Sequence, residues 1–292
     1  MTDAIGALVE AERLPPHYRE VAERFWRPLA ACIAHRHEGR GRQCLLVGVN
    51  GAQGSGKTTS CRFLELFLSR LGLTAVTLSL DDLYLTRAER RELARDQHPL
   101  FATRGVPGTH DVDLGMDILD NLLAGRSADL PRFDKARDDR APGTMHVGGP
   151  VDVVLFEGWC VGAAPQPAAA LATPVNSLEA EEDPEAAWRR EVNRRLATDY
   201  AGLFARMDLL AMLKVADFAA VRANRRRQEA KLGAGPAVMD EAALDRFLMH
   251  YERLTRWQLE EMPQRADIVI AIGPDQRPLS ARPPLPTPAE SM

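Results

Sequence analysis

The sequence predicts an α/β fold, a parallel sheet of about five strands with helices on both faces. Three observations lead there. Short apolar runs recur at 44–49, 74–80, 151–157, 208–215 and 266–273, each the length of a buried strand. Helical patterns separate most of these runs, as in successive βαβ units. The first run is followed at once by GAQGSGKT at 51–58, a glycine-rich turn that leads into a helix.

Taken in order, residues 17–37 space their apolar side chains as a helix does despite Pro28, so 1–40 is expected to be a helical segment packed on the core. "CLLVGV" is the first strand, and "KTTSCRFLELFLSRLG" is a helix that stops at Gly72. "TAVTLSL" is the second strand and ends at Asp81 and Asp82. Residues 84–150 carry two polar stretches, "RGVPGTHD" and "PRFDKARDDRAPGT", expected as loops around a ligand crevice at the strands' carboxyl ends. "VDVVLFE", "DLLAMLKV" and "ADIVIAIG" supply the remaining strands of a core domain spanning 41–275. The Pro-rich segment 276–292 is expected to be an extended or disordered tail.

Composition narrows the partners. The chain has 292 residues, 27% of them charged, and a net charge of −4, which argues against an overall nucleic-acid binder. Cys32, Cys44, Cys61 and Cys160 lack metal-ligand spacing and read as reduced structural thiols. No apolar stretch approaches the ~20 residues that span a bilayer. The N-terminal segment is acidic and shows no cationic region followed by an apolar one, so a cytoplasmic protein is expected.

Gly51, Ala52, Gln53, Gly54, Ser55, Gly56, Lys57, Thr58 and Thr59 fit a phosphate loop, GxxxxGK[ST], placed between a strand and a helix. This makes the fold a P-loop NTPase-type three-layer sandwich. Backbone N–H groups and the positive end of the helix would hold the phosphates of ATP. Lys57 would reach the β- and γ-phosphates, and the Thr58 hydroxyl would ligate Mg²⁺. Glu157 ends a buried strand, where an unpaired carboxylate is costly, and so reads as the second metal-side acid. Asp81 leaves its strand first and is the candidate to orient and deprotonate an acceptor hydroxyl. Asp82 is either an acceptor contact or a helix N-cap. No NKxD-type base-reading motif is present, which favours transfer to a bound acceptor over hydrolysis.

Arg104, His110, Asp111, Lys135 and Arg140 fall in the two polar stretches and offer the cations and hydrogen-bonding groups that a small anionic acceptor needs. The basic run "VRANRRRQEAKLGAG" reads as a lid over about 221–237 that brings Arg225 or Arg226 to the transferred phosphoryl group; spacing does not separate the two. The rival readings are a kinase for another hydroxylated metabolite and an ATP-dependent regulatory protein with no acceptor.

"GAQGSGKTT", "LSLDDLYLT", "RGVPGTHD", "PRFDKARDDR", "LFEGW", "VNSLEAEED" and "RRQEAKL…FLMHYERLTR" occur in the order found in D-glycerate 3-kinases of the plant and cyanobacterial type, which the chain resembles from about 44 to 273. Those enzymes are similar in turn to uridine kinase, pantothenate kinase and phosphoribulokinase. The resemblance implies ATP-dependent phosphorylation of D-glycerate at its 3-hydroxyl and places Asp81 as the base. It also implies an acceptor site drawn from Arg104, His110, Lys135 and Arg140. Three positions depart from the pattern: Leu83 and Phe133 where relatives carry aromatic and Tyr residues, and Asn224 where many carry Trp.

Overall fold

The computed structural model describes residues 3–41, 43–231 and 239–286. The chain opens with helices α1 (Ala4–Ala11), α2 (Tyr18–Val21) and α3 (Arg27–Gly39), the last two joined without a break by a π turn at Ala22–Trp26. Ile5, Val9, Trp26 and Ile33 are buried against β1 (Leu45–Gly51) and α4 (Lys57–Arg70), so this segment covers one face of the sheet. Pro28 falls where the π turn passes into α3, a local irregularity of the kind at which a helix accommodates a residue with no N–H to donate.

After β2 (Ala75–Ser79) a 3₁₀ turn, Leu80–Leu83, leads to α5 (Arg87–Asp96) and α6 (Val112–Leu123). Strands β3 (Ala128–Asp134) and β4 (Asp139–Val147) form an antiparallel hairpin of their own. Next come β5 (Val153–Gly158), α7 (Ser177–Glu182), α8 (Ala187–Ala197), α9 (Asp199–Phe204) and β6 (Leu209–Lys214). The chain continues through α10 (Phe218–Lys231), α11 (Glu241–Glu261), β7 (Ile268–Ile272) and β8 (Pro278–Arg282).

Among the described residues the main sheet has six strands in the order β2-β5-β1-β6-β7-β8, parallel except for β8. β1 lies between β5 and β6, so the strand order switches sides there, the place where α/β sheets open a ligand crevice. Register sets the contents of that crevice. Ser79 stands opposite Glu157, Asn50 opposite Gly158, and Gly51 opposite Leu213, which brings four strand ends to one edge. Asn50 fastens the edge by donating to the carbonyls of Trp159 and Val161 and to Oε1 of Gln258.

Two expectations are corrected. The 276–292 segment does not begin as a disordered tail: Pro278–Arg282 adds an antiparallel strand to β7, with its proline at the strand start, where an edge tolerates a missing N–H. "PRFDKARDDRAPGT" is not a loop but the hairpin β3–β4. Leu130 and Phe133 point inward while Asp129 and Arg132 stay exposed, and the turn is built by Asp134, which accepts from the N–H groups of Ala136 and Arg137. The lid expected at 221–237 corresponds to α10 as far as residue 231; residues 232–238 lie outside the described residues, as do 287–292 of the tail. No helix among the described residues is long and apolar enough to cross a membrane.

Candidate active site

The phosphate loop runs from the end of β1 into α4. Gly56 is the N-cap of α4 with φ +90°, a left-handed conformation that glycine reaches without strain. The loop's tip is held from outside by Gln276, whose amide donates 2.6 Å to the Gly54 carbonyl. Oε1 of Gln53 and the Ser55 hydroxyl are buried with no hydrogen-bond partner in the protein. Such groups are costly unless a ligand satisfies them, so the loop is built to be filled.

Beside it, the Thr58 hydroxyl donates to Oε1 of Glu157 at 3.0 Å, and the Ser79 hydroxyl donates to the same oxygen at 3.0 Å. The other carboxylate oxygen, Oε2, is buried and unpartnered, 4.0 Å from Nζ of Lys57. Among the described residues no group of three or more His, Cys, Asp or Glu side chains could cage a metal. One hydroxyl and one carboxylate suit an ion that keeps water and phosphate oxygens in its shell, which is how Mg²⁺ is usually held beside a nucleotide.

A cavity of about 160 Å³ opens between the loop, the end of β2, the hairpin and the helices α10 and α11. Its walls carry Lys57, Arg104, Lys135 and Arg225 as cations, and Asp81 is the one carboxylate among the described residues that line it. Oδ2 of Asp81 accepts from Lys135 at 2.5 Å and Oδ1 from the Tyr84 hydroxyl at 3.0 Å. Burial alone would raise the Asp81 carboxyl, but Lys135 and Lys57 outweigh it and hold it well below the usual carboxylate range. Lys135 is raised in return, first by Asp81.

The structure also separates Arg225 from Arg226. Arg225 lines the cavity, pairs with Glu229 and lies 5.9 Å from the Phe247 ring centroid, with its Nε buried and unpartnered. Arg226 turns to α11 and pairs with Glu241 and Asp245. Thr59 sits in the first turn of α4, and the Ala52 carbonyl accepts from the N–H of Ser55.

Of the expected acceptor residues, Arg104 and Lys135 line the cavity; Asp82, His110, Asp111 and Arg140 do not. Asp82 is neither a free carboxylate nor a helix cap. It accepts from the Phe133 N–H at 3.0 Å and from Arg132 at 2.7 Å, tying the 3₁₀ turn to β3. Asp111 caps α6 through the Leu114 N–H and meets Arg140 at 3.3 Å, while Arg140 also donates to the Tyr84 carbonyl. The His110 ring is 4% exposed and lies behind Tyr84, sharing a 2.6 Å hydrogen bond with the Tyr200 hydroxyl. These four side chains are spent on joining "DDLYLT" to "RGVPGTHD" and the hairpin.

Sequence reasoning missed Tyr84, Trp159, Gln228, Phe247 and Tyr251, all of which line the cavity. Tyr84 and Trp159 stand within residues of the recognised acids, and Phe247 and Tyr251 are one helical turn apart on α11, the signal that could have shown them facing one way. Trp159 Nε1 donates to the Gly105 carbonyl and the Tyr251 hydroxyl to the Arg104 carbonyl. Gly105 has φ +139°, and a Cβ there would fall 2.1 Å from the Tyr251 hydroxyl, so these two aromatics can grip the loop only at a glycine.

No family model matches the chain. The uncharacterized kinase mug58 of Schizosaccharomyces pombe is 33% identical over 220 residues, 70% of this chain and 78% of that one. The chloroplastic D-glycerate 3-kinase of Arabidopsis thaliana is 30% identical over 221 residues, and the match spans 71% of this chain and about half, 46%, of the plant enzyme. Among solved structures, D-glycerate 3-kinase from Cryptococcus neoformans aligns with a TM-score of 0.73 at 24% identity over 87% of this chain and 97% of that one, a likeness of fold.

Proposed function

Because the chain belongs to the glycerate 3-kinase-like P-loop kinases, we propose that it phosphorylates D-glycerate at the 3-hydroxyl, giving 3-phospho-D-glycerate and ADP. The carrying observation is the cavity: one carboxylate, Asp81, among Lys57, Arg104, Lys135 and Arg225 in about 160 Å³. The phosphate loop supplies one wall of that cavity through Gln53, Gly54, Lys57 and Thr58, so the space is shared with the phosphates, and it is the charge of the opposite wall that favours the acceptor. A small hydroxy acid uses that charge, its carboxylate drawn to Arg104 and Lys135.

In this reading the phosphate loop holds the phosphates of ATP, and Lys57 and Arg225 lie where charge builds on the transferred group. Thr58 and Glu157 would hold Mg²⁺, which supplies charge neutralisation on the phosphates when bound. Asp81 accepts the proton of the acceptor hydroxyl as its oxygen bonds to the γ-phosphorus; the bond to the β–γ bridging oxygen breaks, and that oxygen leaves with ADP. The helix α10, which brings Arg225 and Gln228 to the cavity wall, acts as a lid that excludes water. The four cysteines are free thiols, in keeping with a reducing, cytoplasmic compartment.

The test is ADP release with Mg·ATP and D-glycerate, L-glycerate, pantothenate or uridine as acceptor, with the phosphorylated product identified. D-glycerate-dependent release with 3-phosphoglycerate formed is expected. Turnover confined to another acceptor would overturn the acceptor assignment, and ATP binding with no acceptor-dependent turnover would overturn the kinase.

A further inference from the structure

We propose that Tyr84 is a positioning residue for Asp81: its hydroxyl holds Oδ1, leaving Oδ2 as the oxygen that meets the acceptor, and the His110–Tyr200 pair fixes Tyr84 in turn. The inference rests on the kinase reading above and adds a role to a residue outside the recognised acids and cations.

The geometry begins at the carboxylate. A carboxylate that must take a proton from a defined direction loses efficiency if it rotates. Asp81 follows β2 within a four-residue 3₁₀ turn, which by itself does not fix the side chain. Its two oxygens are held by different partners, Oδ1 by Tyr84 and Oδ2 by Lys135. The partners differ in kind. Lys135 is a flexible ammonium stem, with 60% of its side chain exposed, on the turn between β3 and β4; an incoming acceptor carboxylate can draw it away. Tyr84 is 3% exposed and cannot leave.

Three contacts hold it. Its ring stacks on His110 with centroids 4.5 Å apart at 21°, and the edge of Phe133 meets it at 5.1 Å. Its backbone forms an antiparallel bridge with His110, flanked by bonds from the Leu85 N–H to the Thr109 carbonyl and from the Asp111 N–H to the Leu83 carbonyl. Behind the stack the Tyr200 hydroxyl bonds Nδ1 of His110 and accepts from the Gly108 N–H at 3.0 Å. The "THD" of the loop is thus joined to "LYL" by one isolated antiparallel bridge. Burial pushes the Tyr84 phenol well above its ordinary range, so it remains a donor. When Lys135 moves to the acceptor carboxylate, Oδ2 is freed next to the acceptor while Oδ1 stays tethered.

Tyr84→Phe tests this, since it keeps the ring and its stacking and removes the hydroxyl alone. The groups that act on Asp81 besides Tyr84 are Lys135 from the hairpin, Lys57 from α4 and His110 from the loop, with Arg104 and Arg225 across the cavity. All of them remain in the variant. The expected result is a kcat about ten-fold or more lower with the acceptor KM changed less than three-fold, and an acidic limb of the kcat/KM profile moved to higher pH, because a bond to the ionised form is lost. Tyr200→Phe, one step removed, should give a smaller change in the same direction. An unchanged kcat and acid limb in Tyr84→Phe, or a loss confined to thermal stability, would overturn the inference while leaving the kinase standing. Absence of acceptor-dependent turnover in the wild-type protein would instead overturn the reading it rests on.

Discussion

The hydroxyl of Thr58 donates to Oε1 of Glu157 across 3.0 Å, joining the first turn of α4 to the end of β5. Oε2 of the same carboxylate is buried without a hydrogen-bond partner, with Nζ of Lys57 4.0 Å away. Glu157→Gln keeps an oxygen for both Thr58 and Ser79 but removes the charge. ADP release should fall about 10–100-fold, with half-saturation shifted to higher Mg²⁺. A titration of rate against Mg²⁺ that superimposes on the wild type would remove Glu157 from the metal site.

Lys135 presents the opposite case, a cation paired with Asp81, the proposed base, and proposed to serve the acceptor carboxylate during turnover. Lys135→Met should raise the acceptor KM about ten-fold or more, the value of a charged hydrogen bond of roughly 1.5–3 kcal/mol, and leave the KM for ATP within a factor of three. Equal rises in both constants would place the residue on the nucleotide instead.

How far the chain could be read from its sequence depended on whether a feature was local. The phosphate loop lies within eight consecutive residues, and its spacing carries the backbone conformation with it. The acids at the strand ends were legible because strand length and direction put them at one edge. Tyr84 was not, because its meaning lies in a stack on His110, 26 positions away along the chain, and no periodicity connects the two. The hairpin was hidden by Pro131 and by the charges of its turn, which read as a loop although inward-facing Leu130 and Phe133 alternate with exposed residues. Asp82 and Asp111 looked like site carboxylates because backbone N–H partners do not show in a sequence. β8 is an edge strand of five residues that begins with Pro278 and is followed by Pro283 and Pro284, a pattern shared with disordered segments.

Arg225 and Arg226 are adjacent in sequence but differ in surroundings. Arg225 faces the phosphate loop across the cavity, and Arg226 is paired with two carboxylates connected with α11. Arg225→Ala should cost ~10³-fold in kcat if it stabilises the transferred group, while Arg226→Ala should change kcat by less than about five-fold. Steady-state kinetics of the two variants side by side decide the matter, and a reversed order would move the catalytic role to Arg226.

Acid should destabilise the fold through two buried imidazoles. Burial lowers His110 to about 3 and His250 to about 4. Unfolded, each returns to about 6.5, so below that pH the unfolded chain binds protons that the folded chain refuses. Stability therefore falls as pH drops from about 6.5, through both groups as far as about 4 and through His110 alone from there to about 3. Each contributes a slope of up to about 1.4 kcal/mol per pH unit, so the pair accounts for roughly 4 kcal/mol between pH 6.5 and 5 at most. His250 offers the cleaner test because it stands apart from the catalytic cavity, edge-on to Trp188, with Nδ1 bonded to the Arg246 carbonyl and Nε2 unpartnered. His250→Gln should lower Tm at pH 7.5 yet flatten its decline toward pH 5. Parallel curves for variant and wild type would show that His250 does not carry its share of the acid sensitivity.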